Sequence, residues 1–424
     1  MLGRYPSRVL LARASNRGRV VTSGEDLSKK LLLSYIFILA LSMSLIPFTI
    51  DPYLPAFPEI ADFYGVPNGT VQASLTGVTL GIALGQLILG PLSDAFGRRP
   101  LLLIAIAGFG VSAALVFFVQ DFEAFLLLRF AMGFFAAGGD VISRAIVRDL
   151  YRGQPMQQML ARIFLIQSLA PIIGPIVGSQ LTEIMIWQGV FLVFGFVGIV
   201  LALLASRLLI ETLPKSARRS STPAGLARGY RSVLNDRIYI GLMFYGAFQL
   251  AALFAYLNTV PFLFQDTFGQ SPSEFGVWIA VNALASYIGV QVGSRLAKVF
   301  RGQWLLAWYS GLGILVGVAL MATAGTNIWW AEALFFCQLF LFGAGITTIP
   351  TIALYNHGKE AGTAASLLGV FNFSLTSLVS VLFAALKTDT TYDVGAIIAL
   401  LFFISLSALI FITRPWRVPD LRRG

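Results

Sequence analysis

The chain holds a single cysteine, Cys337, and a single histidine, His357. One cysteine excludes an internal disulfide and a cysteine-held metal. One histidine leaves a zinc site or a histidine-based nucleophilic triad without its parts, and His357 reads as a loop or helix-end residue. Charge is also scarce, at 12% of 424 residues against 57% hydrophobic. No Gly-x4-Gly-Lys-Ser/Thr run occurs, so ATP does not drive the protein directly. Gly108-Phe-Gly110 sits in an apolar run with no strand before it, which excludes a dinucleotide fingerprint. No cofactor and no metal are expected.

What is abundant is apolar sequence, with a mean hydropathy of +0.79. That composition describes a polytopic membrane protein. Runs near the ~20 residues a spanning helix needs recur at about 31–54, 71–93, 100–119, 122–148, 157–184, 187–209, 238–265, 274–297, 303–324, 329–355, 361–386 and 393–413. A closed barrel would show short alternating segments instead. The expected fold class is all-α integral membrane, with twelve spans and the lipid bilayer as the solvent of most side chains.

A net charge of +10 raises the question of nucleic acid, but its placement answers it. With twelve spans and an inside N-terminus, the basic clusters fall on one side, except Arg129 and Lys387. Glu59, Asp62, Asp121, Glu123, Glu183, Asp266, Glu274, Asp389 and Asp393 fall on the other. This is the positive-inside pattern, which places both termini in the cytoplasm. No nucleic-acid partner is expected. The first 19 residues hold five arginines and no acid; that resembles a transit peptide, but reads better as a basic tail or an over-extended start. Asn68-Gly69-Thr70 matches a glycosylation sequon that matters only in a eukaryotic secretory setting.

The longest internal polar stretch, 211–236, divides the spans six and six. The expected organisation is a basic tail over 1–30, a lobe over 31–210, a cytoplasmic linker over 211–236, a second lobe over 237–413 and a tail over 414–424. Leu226, Tyr230, Val233 and Leu234 repeat with helical spacing, suggesting a short amphipathic helix on the membrane surface. Two six-helix halves suggest a duplicated transporter with substrate bound near midplane between them. Gly90-Pro-Leu-Ser-Asp-Ala after span two is weakly echoed by Gly293-Ser-Arg-Leu-Ala after span eight.

The most specific run is Gly90-Pro91-Leu92-Ser93-Asp94-Ala95-Phe96-Gly97-Arg98-Arg99-Pro100. It resembles the signature loop of the major facilitator superfamily between spans two and three. Arg129-Phe-Ala-Met-Gly133 resembles the superfamily's span-four motif, with Met132 where a polar residue is usual. Pro171-Ile-Ile-Gly174-Pro175-Ile-Val-Gly178 resembles the span-five antiporter motif, with Ser179 where a second terminal glycine is common. Further segments resemble the Bcr/CflA branch of bacterial drug:proton antiporters: Asp51-Pro-Tyr-Leu-Pro-Ala, Arg144-Ala-Ile-Val-Arg-Asp149, Pro261-Phe-Leu-Phe-Gln, Phe275-Gly-Val-Trp-Ile-Ala-Val-Asn282 and Gly362-Thr-Ala-Ala-Ser366. Together these matches cover about residues 30–414.

The resemblance implies the major facilitator fold, two pseudo-symmetric six-helix lobes in the bacterial inner membrane, that alternate access for a small-molecule substrate and protons. It implies a functional monomer and no enzyme. An importer, or an exporter of metabolites, peptides or siderophores, is the alternative on the same fold. A membrane enzyme or sensor fits poorly, because catalytic spacings and an appended soluble domain are lacking.

Three groups of residues carry the expected chemistry. Gly90, Asp94, Gly97, Arg98 and Arg99 form a conformational latch for the outward-open state, with Asp149 as the acid the resemblance points to. Arg129, Gly133, Asp140 and Arg144 share one face of span four, and a charged stripe there is expected to face the cavity between lobes, since lipid makes charge costly. Asp51 is the first candidate proton carrier. Desolvation favours the protonated form of a carboxyl, and water or a cation favours the ionised form, so an acid alternately wet and dry carries a proton. Asp140 is either a second proton or cation-substrate site or an i,i+4 ion pair with Arg144. Arg129 either neutralises Asp51 or orients an anionic substrate, or is a fixed interhelical donor. Gln249, Asn258, Asn282, Gln338 and Asn372 complete the candidate cavity, though such a residue is more often a helix-packing hydrogen bond than a ligand contact.

Overall fold

A computed structural model describes residue 24 and residues 28–218, 233–323, 327–357, 361–386 and 390–420. Among the described residues, twelve helices are long and apolar enough to cross a membrane. Spans one to six are Lys29–Tyr64, Asn68–Phe96, Arg98–Val116, Phe122–Leu150, Gly153–Ile184 and Trp187–Leu208. Spans seven to ten are Arg237–Thr267, Pro272–Val299, Gly302–Ala322 and Ile328–Ala353. The helix of span eleven is Ala361–Leu386, and span twelve is Thr391–Thr413. The centre of the linker, with Leu226 and Tyr230 of the expected amphipathic helix, lies outside the described residues, as does most of the 1–30 tail.

Span one runs ten residues past the expected end at 54. Pro52 and Pro55 lack the N–H an α-helix needs, so the chain tightens into a 3₁₀ stretch, Asp51–Ala56, and resumes as α-helix Phe57–Tyr64. Gly65, at φ 63° in the left-handed region, ends it.

The two halves repeat each other in their packing. In the first lobe spans two and four meet backbone to backbone: a Cβ on Gly81 would lie 2.1 Å from the Phe130 carbonyl oxygen, and one on Gly133 would lie 2.2 Å from that of Val78. In the second lobe spans eight and ten do the same, with Gly289 against Phe340 (2.1 Å) and Gly343 against Ser286 (2.0 Å). Small residues of this kind let membrane helices approach closely, where lipid offers no hydrophobic drive to associate.

The lobes touch on the side opposite the Gly90–Pro100 loop. There Asn68 Nδ2 donates to Asp266 (3.1 Å), Gln265 Nε2 to the Pro55 carbonyl (3.1 Å) and Gln180 Nε2 to Ser273 Oγ (3.0 Å). The Ser273 hydroxyl donates to Glu183, and the Phe57 and Phe262 rings pack 5.6 Å apart. Nearer midplane, the hydroxyls of Thr79 and Ser377 meet at 2.6 Å.

Candidate functional site

A cavity of about 630 Å³ lies between the lobes. Its walls come from residues 46–51 of span one, 161–171 of span five, 250–257 of span seven, 279–291 of span eight and 339–346 of span ten, with Phe373 of span eleven. Each stretch starts near mid-span and, in spans five, eight and ten, extends toward the loop side. The cavity therefore opens toward the loop side and ends at the contacts that shut the other. Leucine, isoleucine and phenylalanine dominate the walls; the polar side chains near the closed end are Asp51, Tyr256 and Asn282.

Asp51 sits at the proline break, where the 3₁₀ stretch begins. It is buried at 8% exposure, and among the described residues no donor and no cation is bonded to its carboxyl. The break is braced by Arg129. In a 3₁₀ register hydrogen bonds run to the third residue back rather than the fourth, so the Thr49 carbonyl loses its α-helical partner. Arg129 Nη2 supplies one at 2.6 Å. The same guanidinium lies 3.8 Å over the Tyr53 ring, whose hydroxyl meets Ser74 Oγ at 2.9 Å. Arg129 is fully buried against span one and neither pairs with Asp51 nor reaches the cavity.

The span-five motif presses on the same break. A Cβ on Gly178 would stand 1.8 Å from the Pro52 carbonyl oxygen, and one on Gly174 would stand 3.2 Å from Asp51 Cβ. Pro171 lines the cavity. At the lobe interface, Gly276 of span eight lies against Ser179 and the Pro175 carbonyl. The motif thus packs one lobe's broken helix on one face and the other lobe on its neighbour.

The expected charged stripe on span four turns out to face its own lobe. Gly133 meets the Val78 carbonyl of span two, Ala137 lies against Gly85 of the same span, and Ala136 is buried, so the small residues of the stripe serve packing. Asp140 is buried, and its Oδ1 accepts from both Arg144 Nε (3.0 Å) and Nη2 (2.9 Å). Arg144 is half exposed and reaches over Phe164, a cavity residue, at 5.5 Å.

Of the polar residues placed in the cavity from sequence, Asp51 and Asn282 line it. The other amides, Gln249, Asn258, Gln338 and Asn372, lie in helix packing inside the second lobe, where neighbouring helices take up part of their hydrogen bonding. Gln249 Nε2 donates to Ser310 and Ser405, Asn258 Nδ2 to the Phe254 carbonyl and Ser380, and Gln338 Nε2 to the Ala252 carbonyl. Asn372 packs beside Gly246. Glu332, near the start of span ten, is missing from the sequence expectations. It is buried, and Asn282 Nδ2 donates to its Oε2 at 2.9 Å. An acid two residues after Trp330, inside an apolar run, is the available signal.

On the loop side, Arg98 is the hub of a buried cluster. It reaches Asp94 (2.5 Å), Asp149 (3.0 Å) and Ser93 Oγ (2.7 Å), and its backbone N–H donates to Glu211 Oε1 (3.0 Å). Arg99 donates to the Leu209 (2.8 Å) and Ser206 (2.5 Å) carbonyls, capping span six. Gly97 has φ 108°, and a side chain there would also strike Glu211 and Arg218. Gly90 lies against Val141 of span four. All these partners belong to the first lobe and its exit into the linker. The cluster is complete while the loop side stands open, and both carboxylates that Arg98 binds belong to its own lobe.

Twelve spans in two repeated lobes, closed on one side over a midplane cavity, define a secondary transporter fold. A family model for the Major Facilitator Superfamily matches residues 32–384, and the chain belongs to that superfamily. It is 34% identical over 375 residues to the uncharacterized MFS-type transporter YdgK of Bacillus subtilis, covering 86% of this chain and 92% of that protein. It is 30% identical over 390 residues to a bicyclomycin resistance protein homolog of Haemophilus influenzae, covering 90% and 96%. The multidrug resistance protein MdtL of Shewanella oneidensis is 25% identical, covering 88% and 93%. Among solved structures, a partially occluded inward-open form of the E. coli xylose transporter XylE has TM-score 0.72 at 13% identity, covering 93% and 99%. An inward-facing bacterial homolog of the lysosomal transporter Spinster has TM-score 0.69 at 15% identity, covering 92% and 96%. The family and fold are those of multi-pass membrane transporters rather than enzymes.

Proposed function

We propose that this chain is a proton-coupled efflux transporter of small amphipathic compounds in the bacterial inner membrane, with both termini and the 211–236 linker in the cytoplasm. The observation that carries this reading is Asp51: a carboxyl with no hydrogen-bond or ion-pair partner among the described residues, at the closed end of an apolar cavity between the lobes. A carboxyl so placed binds a proton when dry and releases it when wetted. An apolar wall with few polar groups suits a greasy, drug-like cargo. The kinship with a bicyclomycin resistance homolog and with MdtL supports efflux of antibiotic-like molecules.

In this cycle the lobes rock about the cavity, and substrate and proton alternate at Asp51. Arg129 and the Gly174/Gly178 face hold the break that presents the carboxyl. A susceptibility panel that includes bicyclomycin, in a pump-deficient bacterial host, tests the reading. Wild type raises tolerance to at least one compound and Asp51→Asn does not. Tolerance unchanged for every compound would favour import, or export of a metabolite, peptide or siderophore.

A further inference from the structure

The closed end of the cavity continues, behind its lining, to a second acid. Asn282 Nδ2 donates to Glu332 Oε2 at 2.9 Å and to the Tyr256 hydroxyl at 3.0 Å. Tyr256 and Asn282 line the cavity and Glu332 does not, so the two stand between it and the acid. Glu332 is 5% exposed, and its Oε1 is buried without a hydrogen-bond partner, as is Asn282 Oδ1. Unpaired amide oxygens also occur on packing residues such as Asn258 and Gln338. What sets Glu332 apart is that it is an ionisable acid, buried in a membrane span with only a neutral amide as its partner among the described residues, and such an acid points to function.

The groups around Glu332 are few. Span seven presents Tyr256, which lines the cavity together with Asp51. Span eight presents Asn282, while its Glu274 is held in a capping box with Ser271 and its Tyr287 lies on the cavity wall. Span nine, Gly302–Ala322, carries no charged residue, and its Tyr309 belongs to the loop-side cluster with Tyr239 and Tyr245. Among the described residues no cation forms an ion pair with Glu332.

The repeat between lobes isolates what is unusual. Ser74 lies seven residues ahead of Gly81 and Asn282 seven ahead of Gly289, the matching packing glycines. Ser74 meets Tyr53 of span one as Asn282 meets Tyr256 of span seven. In the first lobe the tyrosine is covered by a cation, Arg129, that braces the fold. In the second lobe the matching pair leads to a carboxyl with one free oxygen.

We propose that Glu332 is a second proton-binding site, in communication with the cavity through Asn282 and Tyr256, so that each lobe carries one exchangeable carboxyl. The proton adds to Oε1, the oxygen Asn282 leaves free, converting the carboxylate to the neutral acid. Rotation of the Asn282 amide breaks both of its bonds at once and opens the way between acid and cavity. This inference rests on the proton-coupled reading for its purpose, but its test needs no substrate.

Infrared titration of the purified full chain between about pH 5 and 9, the range open to a buried carboxyl, reads protonation directly. In Asp51→Asn one carboxyl carbonyl band still titrates, and adding Glu332→Gln removes it. Asn282→Ala moves the midpoint of that band by about one pH unit, which a structural acid would not show. Glu332→Asp, kept as a milder variant against misfolding, retains a titrating band at shifted frequency. A band lost with Glu332→Gln that never moved with pH, or a titrating band that survives it, overturns the proposal. Neither result bears on whether Asp51 couples transport, which the susceptibility panel judges separately.

Discussion

Arg129 and Thr49 are joined by a 2.6 Å hydrogen bond from guanidinium to backbone carbonyl, at the point where span one leaves the α-helix. A charge in the membrane is thus spent on a carbonyl that the proline break leaves free, and the break is what presents Asp51. Arg129→Ala exposes that carbonyl as an unsatisfied buried group and removes the contact with Tyr53, so a loss of roughly 2–4 kcal/mol is expected. Arg129→Lys should recover part of the stability but not the flat contact over the ring. Thermal unfolding in detergent ranks wild type above Lys above Ala; equal midpoints for all three would remove the brace.

The Asp140–Arg144 pair is asymmetric, since the acid is buried and the arginine is half exposed. Removing the arginine strands a buried carboxylate, whereas neutralising the acid leaves a cation that water can reach. Arg144→Gln should therefore destabilise by about 1–3 kcal/mol more than Asp140→Asn. A double-mutant cycle checks this. The reverse order, or loss of transport in Asp140→Asn with normal stability, would favour the transport-site reading of Asp140 over the structural pair.

Gly178 faces the Pro52 carbonyl so closely that any side chain must displace the broken helix. Gly178→Ala should cost about 1–3 kcal/mol by overpacking, and Gly178→Val more. Gly153, whose Cβ would meet nothing within 4 Å but whose φ is 58°, serves as a comparison in which only backbone strain is added. If Gly178→Ala unfolded at the wild-type temperature, the close approach would be wrong.

Arg98 binds two carboxylates inside one lobe. Arg98→Ala leaves Asp149 largely buried without its cation, and a loss of roughly 3–5 kcal/mol is expected. Because the cluster lies within the lobe, the loss should appear as lowered stability of the protein in any state. A shift only in the balance between open states, measured by cysteine accessibility on the two sides with stability unchanged, would favour the simple latch instead.

The fold was legible because a membrane imposes a visible period: apolar runs of spanning length, separated by charge of one sign on each side. Span one was cut short because Pro52 and Pro55 end a soluble helix, whereas here the neighbouring Arg129 and span five satisfy and hold the break. Asp51 and Arg98 stand out in the sequence because charge in or beside an apolar run is rare, whereas Asp149 is singled out only by the resemblance of its motif. The direction of the span-four stripe was not legible, since a cavity and a glycine-packed helix interface both call for small residues at helical spacing. For the same reason Gln249, Asn258 and Gln338 were placed in the cavity: an amide on a span reads alike whether it meets substrate or a neighbouring carbonyl. Glu332 was overlooked because one acid barely lowers the hydropathy of its run.

The central claim is that Asp51 couples proton movement to transport. Everted vesicles, energised to hold a pH gradient and carrying a pH-sensitive dye, test it with a compound to which the panel shows tolerance. Wild type should dissipate the gradient when that compound is added. Asp51→Asn should not, yet should still exchange labelled for unlabelled compound without a gradient. Gradient dissipation by Asp51→Asn at the wild-type rate would contradict the account.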